Sequence, residues 1–236
     1  MESGGVAAEP VTQGVKREEG PNAQNGERLR AEREQIGLSL RKMAARLNIS
    51  PSALSQIETG RSRPSVSTLY ALVSELGISF DALFAAEAPA RAEQPAAATP
   101  TDGITVRSMS HDPAEIVQRA DDRKTIELES GVLWERLNPT GDRDVEFLEV
   151  TYDVGGASSA GETYVRHSGR EYGVVQSGRL KVTVGYDEFE LSPGDSICFD
   201  SSVPHRLAAM GDQPAKAIWF VIGRAGSDLR ASWISK

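Results

Sequence analysis

The chain is poor in the features that mark exported, disulfide-stapled or membrane-inserted proteins. Its one cysteine in 236 residues leaves no internal disulfide to form. No apolar run approaches the roughly 18 residues that would span a bilayer, and the N-terminus lacks a signal-peptide pattern. A reducing, cytoplasmic location without membrane contact is expected. An excess of basic residues is missing too: the formal net charge is −8, which argues against a chain that coats nucleic acid along its whole length. The charge is unevenly spread. Residues 26–84 carry 8 Lys+Arg against 6 Asp+Glu, a net of +2, whereas residues 101–236 carry 15 against 22, a net of −7.

Two stretches lack the bulky apolar side chains that folding requires. Residues 1–25 are rich in Gly, Glu, Gln and Pro and cannot bury enough surface to offset their ordering entropy, so a disordered tail is expected. Residues 85–103, AAEAPARAEQPAAATPTDG, are Ala/Pro-rich and read as a semi-extended linker, leaving the domains on either side mobile relative to each other. A C-terminal tail, residues 224–236, closes the chain. What remains is a small domain at 26–84 and a medium one at 104–223.

Residues 37–64, GLSLRKMAARLNISPSALSQIETGRSRP, read as two short helices joined by a tight turn. Ser39 suits an N-cap, and Leu40, Met43, Ala44 and Leu47 follow at helical spacing with Arg41, Lys42 and Arg46 on the other face. Asn48-Ile49 makes the turn. Ser50 then caps a second helix with Pro51 in its first position, and Thr59-Gly60 stops it. Its core side is Ala53, Leu54 and Ile57; its outer side is Ser52, Ser55, Gln56 and Thr59, small hydroxyls and an amide suited to groove contact. Helical spacing extends from Gly26 through Leu29, resumes at Val66, Leu69, Leu72, Val73 and Leu76, and ends in a short helix at Asp81–Phe84, which predicts five helices in all.

After Asp102 the apolar period changes from helical to twofold: Leu148, Val150 and Tyr152 alternate with Phe147 and Glu149, Leu180, Val182 and Val184 with Lys181 and Thr183, and Ile197 and Phe199 with Ser196 and Cys198. Turn signals such as Ser192-Pro193-Gly194 punctuate the pattern, which predicts an antiparallel β-sandwich or barrel of the jelly-roll type. Cys198 is expected to be a small buried hydrophobe.

Residues 26–84 resemble the helix-turn-helix domain of the Xre/Cro/C1 repressor family, which is lambda-repressor-like. The segment Gln56-Ile57-Glu58-Thr59-Gly60-Arg61-Ser62-Arg63-Pro64 matches that family's passage from recognition helix to loop. The resemblance implies that Pro51, Ser52, Ser55 and Gln56 face the major groove, where an amide pairs with adenine and a hydroxyl serves either base. It places Arg41, Arg61 and Arg63 near the phosphates, where they fix register without reading sequence. A domain of net +2 binds weakly as one copy, so a homodimer on a near-palindromic double-stranded operator is expected, with recognition helices about 34 Å apart.

Residues 164–211 resemble the two sequence motifs of a cupin, a small double-stranded β-helix barrel. The resemblance implies that His167, Glu171 and His205 point inward and can hold one divalent metal, with Fe, Mn and Zn all compatible with two imidazoles and a carboxylate. The chain departs from the family where Val165 replaces a histidine and Ala209 an asparagine. A metal-free polar cluster in an effector pocket is the alternative for these three residues. Strand parity adds Val165, Val175 and Leu207 as pocket candidates, and Tyr164, Tyr172 and Trp219 either line the pocket or pack beneath it.

A DNA-reading head and a small-molecule barrel in one chain resemble the Xre-cupin transcription factors, in which a small-molecule effector bound in the barrel regulates transcription without catalysis. Some proteins that join the same two domains are mononuclear non-haem iron oxygenases, such as the epoxidase of phosphonate antibiotic synthesis, and an enzyme of that kind is the alternative. The intact outer face of the recognition helix favours the regulator.

Overall fold

The computed structural model describes residues 21–78, 80–84, 116–139, 145–159, 161 and 163–223. The linker expected at 85–103 and the tail at 224–236 lie outside these residues, as does the expected N-terminal tail up to residue 20. The helical unit consists of α1 (Pro21–Gln35), α2 (Leu40–Arg46), α3 (Pro51–Glu58), α4 (Val66–Leu76) and α5 (Phe80–Phe84). The five-helix count is not confirmed: four helices reach seven residues or more, and α5 is a single turn of five. Helix α1 also starts at Pro21 rather than near residue 26. Its first turns carry no large apolar groups to betray them because they pack through backbone and small side chains. A Cβ on Gly60 would stand 2.6 Å from the Ala23 Cα, and one on Gly26 would meet the Ile57 carbonyl at 2.4 Å.

Local chemistry sets the helix ends. The Ser39, Ser50 and Ser65 hydroxyls accept from the amides of Lys42, Ala53 and Thr68 at 3.3, 3.0 and 3.1 Å, and each satisfies an otherwise orphaned first-turn donor. Asn48 turns the chain between α2 and α3 with a φ of 54°, which asparagine tolerates at modest cost. Leu29, Met43, Leu54, Leu69, Leu72 and Leu83 are almost fully buried and form the core. Each contributes about 1.5–3 kcal/mol by leaving water. One ion pair lies within that core: Arg33 Nε and Nη2 reach the two Glu58 carboxylate oxygens at 2.6 and 2.8 Å, and Nη1 donates to the Leu38 carbonyl at 2.8 Å.

Among the described residues, the second unit holds nine strands in two antiparallel sheets. β1 (Thr125–Leu128), β2 (Val132–Arg136), β3 (Val145–Tyr152), β4 (Arg170–Ser177), β7 (Ser196–Asp200) and β9 (Ala215–Ile222) form one, in the order β1-β2-β3-β9-β4-β7. β5 (Leu180–Val184), β6 (Asp187–Leu191) and β8 (His205–Ala209) form the other, in the order β6-β5-β8. The closed barrel expected from the sequence is not confirmed. Among the described residues, the segment between β3 and β4 meets β8 only through isolated bridges at Ala157–Ala208 and Val165–His205, so no continuous ladder closes the sheet.

Twofold alternation governs burial. β9 turns Ala215, Ala217, Trp219 and Val221 inward, and β4 turns Glu171, Gly173 and Val175 inward while Arg170, Tyr172 and Val174 face out. The same alternation overturns the expectation for Cys198. Phe199 occupies the inward position of β7, so its neighbour Cys198 is exposed.

The two units are packed together, in contrast to the mobility expected of linked domains. Tyr70 of α4 and Phe80 of α5 set their rings 5.5 and 5.6 Å from that of Trp134 on β2. The Arg136 guanidinium lies 5.7 Å over the Phe84 ring, and the Glu129 amide donates to the Pro64 carbonyl at 2.9 Å. A composition-based reading of the linker carries no information about aromatic contacts between surfaces far apart in sequence.

Candidate functional site

Two sites emerge. At the first, α3 presents Pro51, Ser52 and Gln56 to solvent with Ser55 half-buried, over a floor of Leu54 and Ile57. The Gln56 side-chain amide has no partner among the described residues, whereas the Thr59 hydroxyl turns back to the Ser55 carbonyl at 2.8 Å and is occupied within the helix. The Arg61 and Ser62 amides donate to the Gln56 carbonyl at 2.8 and 3.1 Å, which folds the loop after α3 against the helix end. Arg41 and Arg61 are exposed. Arg63 is exposed as well, but its guanidinium pairs with Glu127 on β1 of the other unit. Of the seven residues singled out for DNA contact, Arg41, Pro51, Ser52, Gln56 and Arg61 are thus exposed, Ser55 is half-buried, and Arg63 is committed to Glu127 across the domain boundary.

At the second site, β4 supplies Glu171, β8 supplies His205, and the segment entering β4 supplies His167. Their ligand atoms lie within 4.8 Å of one another. His167 Nε2 and His205 Nε2 stand 2.8 and 3.2 Å from the same oxygen, Glu171 Oε1. The other carboxylate oxygen accepts from Trp219 Nε1 at 2.6 Å. Each imidazole turns its Nδ1 to a backbone carbonyl, His167 to Ser168 and His205 to Val203, both at 2.9 Å. A carbonyl only accepts, so both Nδ1 atoms carry a proton. In a neutral ring Nε2 then offers a lone pair to a carboxylate oxygen. Two acceptors at 2.8 Å repel unless a cation stands between them. Burial pushes the Glu171 carboxyl up, but the two histidines outweigh that effect and hold it well below the usual carboxylate range. The carboxylate is thus charged, and the cluster calls for a positive charge from a protonated imidazole or a metal ion.

A cavity of about 20 Å³ opens beside this cluster. Trp134, Leu148, Val150, Leu207 and Trp219 line it with apolar surface, and Ser158 and Tyr152 bring hydroxyls. Burial and the nearby Glu171 charge raise the Tyr152 pKa, so its hydroxyl stays a neutral donor. Val165, at the position of the missing fourth ligand, is 2% exposed and lines the cavity.

Val175 does not line it, which corrects the parity argument. Residues four apart on a strand share a face but are about 13 Å apart, and the Trp219 ring lies over Gly173 between Val175 and Glu171. Tyr164 and Tyr172 are 45% and 40% exposed and also stand away from the cavity. The sequence reading missed Trp134, Leu148, Val150, Tyr152 and Ser158. Parity on β3 was the available signal for Leu148, Val150 and Tyr152. It also missed Val66 and Tyr70, which enter from α4 of the helical unit; no pattern within the strands could have found them.

Comparison with known proteins finds one family in each half of the chain. Residues 29–83 match the helix-turn-helix family and residues 148–221 the cupin domain family. The chain is 28% identical over 185 residues to the HTH-type transcriptional regulator PuuR of Escherichia coli (strain K12), spanning 78% of this chain and 86% of that protein. It is similar to a crystal structure of an HTH_3 family transcriptional regulator from Vibrio cholerae, with a TM-score of 0.56, 25% identity, and coverage of 85% of this chain and 96% of that one. Hydroxypropylphosphonic acid epoxidase from S. wedmorenis also aligns, at 22% identity over 85% of this chain and 98% of its own, but its TM-score of 0.40 is too low to carry an argument.

Proposed function

We propose that this chain, which joins a helix-turn-helix domain to a cupin domain and is homologous to HTH-type transcriptional regulators, is itself a sequence-specific DNA-binding transcriptional regulator with an effector site in the cupin. The observation that carries this reading is the free, outward edge of α3. Pro51, Ser52 and Gln56 stand exposed on a helix clamped by its Ser50 cap and its buried Leu54, where they are available to base edges. Ser55 flanks them, and Arg41, Arg61 and Arg63 supply phosphate contacts. The modest positive charge of this domain supports action as a homodimer on a near-palindromic operator. A DNA target places the working protein in the cytoplasm, and among the described residues no helix is long and apolar enough to cross a membrane.

The cupin cluster fits one divalent metal. His167, Glu171 and His205 supply two imidazole nitrogens and a carboxylate oxygen. Both rings are oriented by carbonyls in the manner of metal-bound histidines, and the converging lone pairs require a cation. Fe, Mn and Zn all suit this ligand set, and a bound ion would offer Lewis acidity to an effector oxygen. The same cluster serves a regulator as a ligand anchor, so no catalysis is assigned to it. Dioxygen consumption by the Fe(II)-loaded chain would favour an oxygenase instead.

Selection of bound fragments from a random oligonucleotide pool by the full chain should return an inverted repeat. On that sequence Gln56→Ala should lose about 1–3 kcal/mol at one base position, whereas Arg61→Ala should weaken all sequences alike. Equal losses on every single-base variant for Gln56→Ala, or no enrichment over random competitor, would refute the reading.

A further inference from the structure

The helical domain does more than sit beside the cupin. Tyr70 places its ring 4.5 Å from that of His167, and Tyr70 and Val66 close one side of the cavity beside Glu171 and His205. The cavity volume, about 20 Å³, holds roughly one water molecule. Sites for organic ligands run to about 300–1,000 Å³. An organic effector therefore cannot enter while every wall stays in place.

The walls differ in how firmly they are held. Trp134, Leu148, Glu171, His205 and Trp219 belong to strands whose ladders are paired residue by residue. Helix α4 belongs to the other domain, which meets the cupin through the Tyr70 and Phe80 rings on Trp134, Tyr70 on His167, the Pro64–Glu129 backbone hydrogen bond, the exposed Arg63–Glu127 pair, the Arg136–Phe84 contact and the approach of α1 to β1. It is the wall with the fewest backbone ties.

We propose that Tyr70 of α4 occupies space an effector would need, so that an organic occupant larger than water displaces Tyr70 and undocks the helical domain. Occupancy and docking exclude one another. Undocking separates Arg63 from Glu127 and returns it to the DNA-facing edge of α3. The lining restricts the effector class to organic molecules with an apolar body, to match Trp134, Leu148 and Trp219, and a polar head for the Glu171–His205 end. This inference rests on reading the cupin pocket as an effector site.

The Glu129 amide is a native reporter of docking, because its acceptor, the Pro64 carbonyl, lies in the other domain. Hydrogen–deuterium exchange of the full chain should be read at that amide in the wild type, in Val165→Trp, which grows an occupant from the cupin wall into the cavity, and in Val165→Trp combined with Tyr70→Ala. Val165→Trp should speed exchange at Glu129 by about tenfold or more, as local opening does, while the β3 and β9 amides stay protected. The added Tyr70→Ala should slow it again, because the indole then takes the space the phenol ring has left. Wild-type exchange at Glu129 in Val165→Trp, or equal acceleration in the single and double variants, overturns the proposal. Where Val165→Trp also costs β3 and β9 their protection, Leu148→Phe, a smaller intrusion from another lining residue, takes its place under the same two criteria. No measurement here involves DNA, so a failed oligonucleotide selection and a failed exchange experiment are distinguishable.

Discussion

The buried pair Arg33–Glu58 allows a sharp test of what holds the DNA-reading domain in shape. The pair ties the end of α1 to the end of α3, with side chains only 7% and 4% exposed and a two-pronged geometry at 2.6 and 2.8 Å. Glu58→Ala leaves the Arg33 guanidinium buried with only the Leu38 carbonyl and the exposed Glu34 near it. Removing one partner of a buried pair costs about 3–5 kcal/mol, chiefly through the unpaired charge that remains. Domains of this size are stable by about 5–15 kcal/mol, so the variant should lie close to unfolding at 37 °C and lose DNA binding although no groove-facing residue has changed. Arg33→Met with Glu58→Leu removes both charges and should recover most of the loss, since replacing a buried pair by apolar groups of similar volume is often neutral or better. Urea denaturation of the wild type, Arg33→Met, Glu58→Leu and the double variant, followed by far-ultraviolet circular dichroism, gives the coupling energy, with Glu58→Ala measured beside them. A Glu58→Ala cost below about 1 kcal/mol, typical of a solvent-exposed pair, would refute the reasoning.

Three further expectations follow from the β-sheet unit and its contact with the helices. Gly173→Ala would place a Cβ 1.9 Å from Trp219 Cζ3 and 2.3 Å from Cε3. The displaced indole should lose its bond to Glu171, with a cost of about 1–3 kcal/mol or more in thermal unfolding and a shift in tryptophan emission. The Glu149 carboxyl is raised by burial but held below its ordinary value overall by Lys216 at 2.7 Å and Arg123 at 3.3 Å. A depressed folded-state pKa contributes stability that is present above the unfolded carboxylate value of about 4.3 and is lost as pH falls through the folded one, so Glu149→Gln should flatten the acid limb of a stability–pH curve. An unchanged limb would sink that assignment. Glu127→Gln should free Arg63 and raise operator affinity by an amount worth about 0.2–1 kcal/mol in fluorescence anisotropy, the range of an exposed pair; weaker binding would contradict it.

Local rules made much of the architecture legible beforehand. Ser39 and Ser50 cap the helices on either side of the Asn48 turn because a short hydroxyl before an apolar helical stripe has few better uses. The inward set Leu148, Val150 and Tyr152 follows from the pleat alone. Packing between small groups was harder to see. The early start of α1 rests on close approach at Gly26 and Gly60, and the burial of Arg33 on a partner 25 residues away; neither leaves a periodic apolar trace.

In the same way, the resemblance of residues 164–211 to the cupin motifs was enough to expect His167, Glu171 and His205 in one cluster. Only the tertiary structure decided that both imidazoles aim Nε2 at a single carboxylate oxygen, that Trp219 holds the other, and that Val175 stands apart. It alone placed Tyr70 against His167 and Arg63 against Glu127. The physical reason is common to these cases. Caps, turns and alternation are short-range and written in neighbouring residues, whereas the way one domain's surface meets another depends on the summed fit of side chains distant in the chain, for which sequence carries no local period.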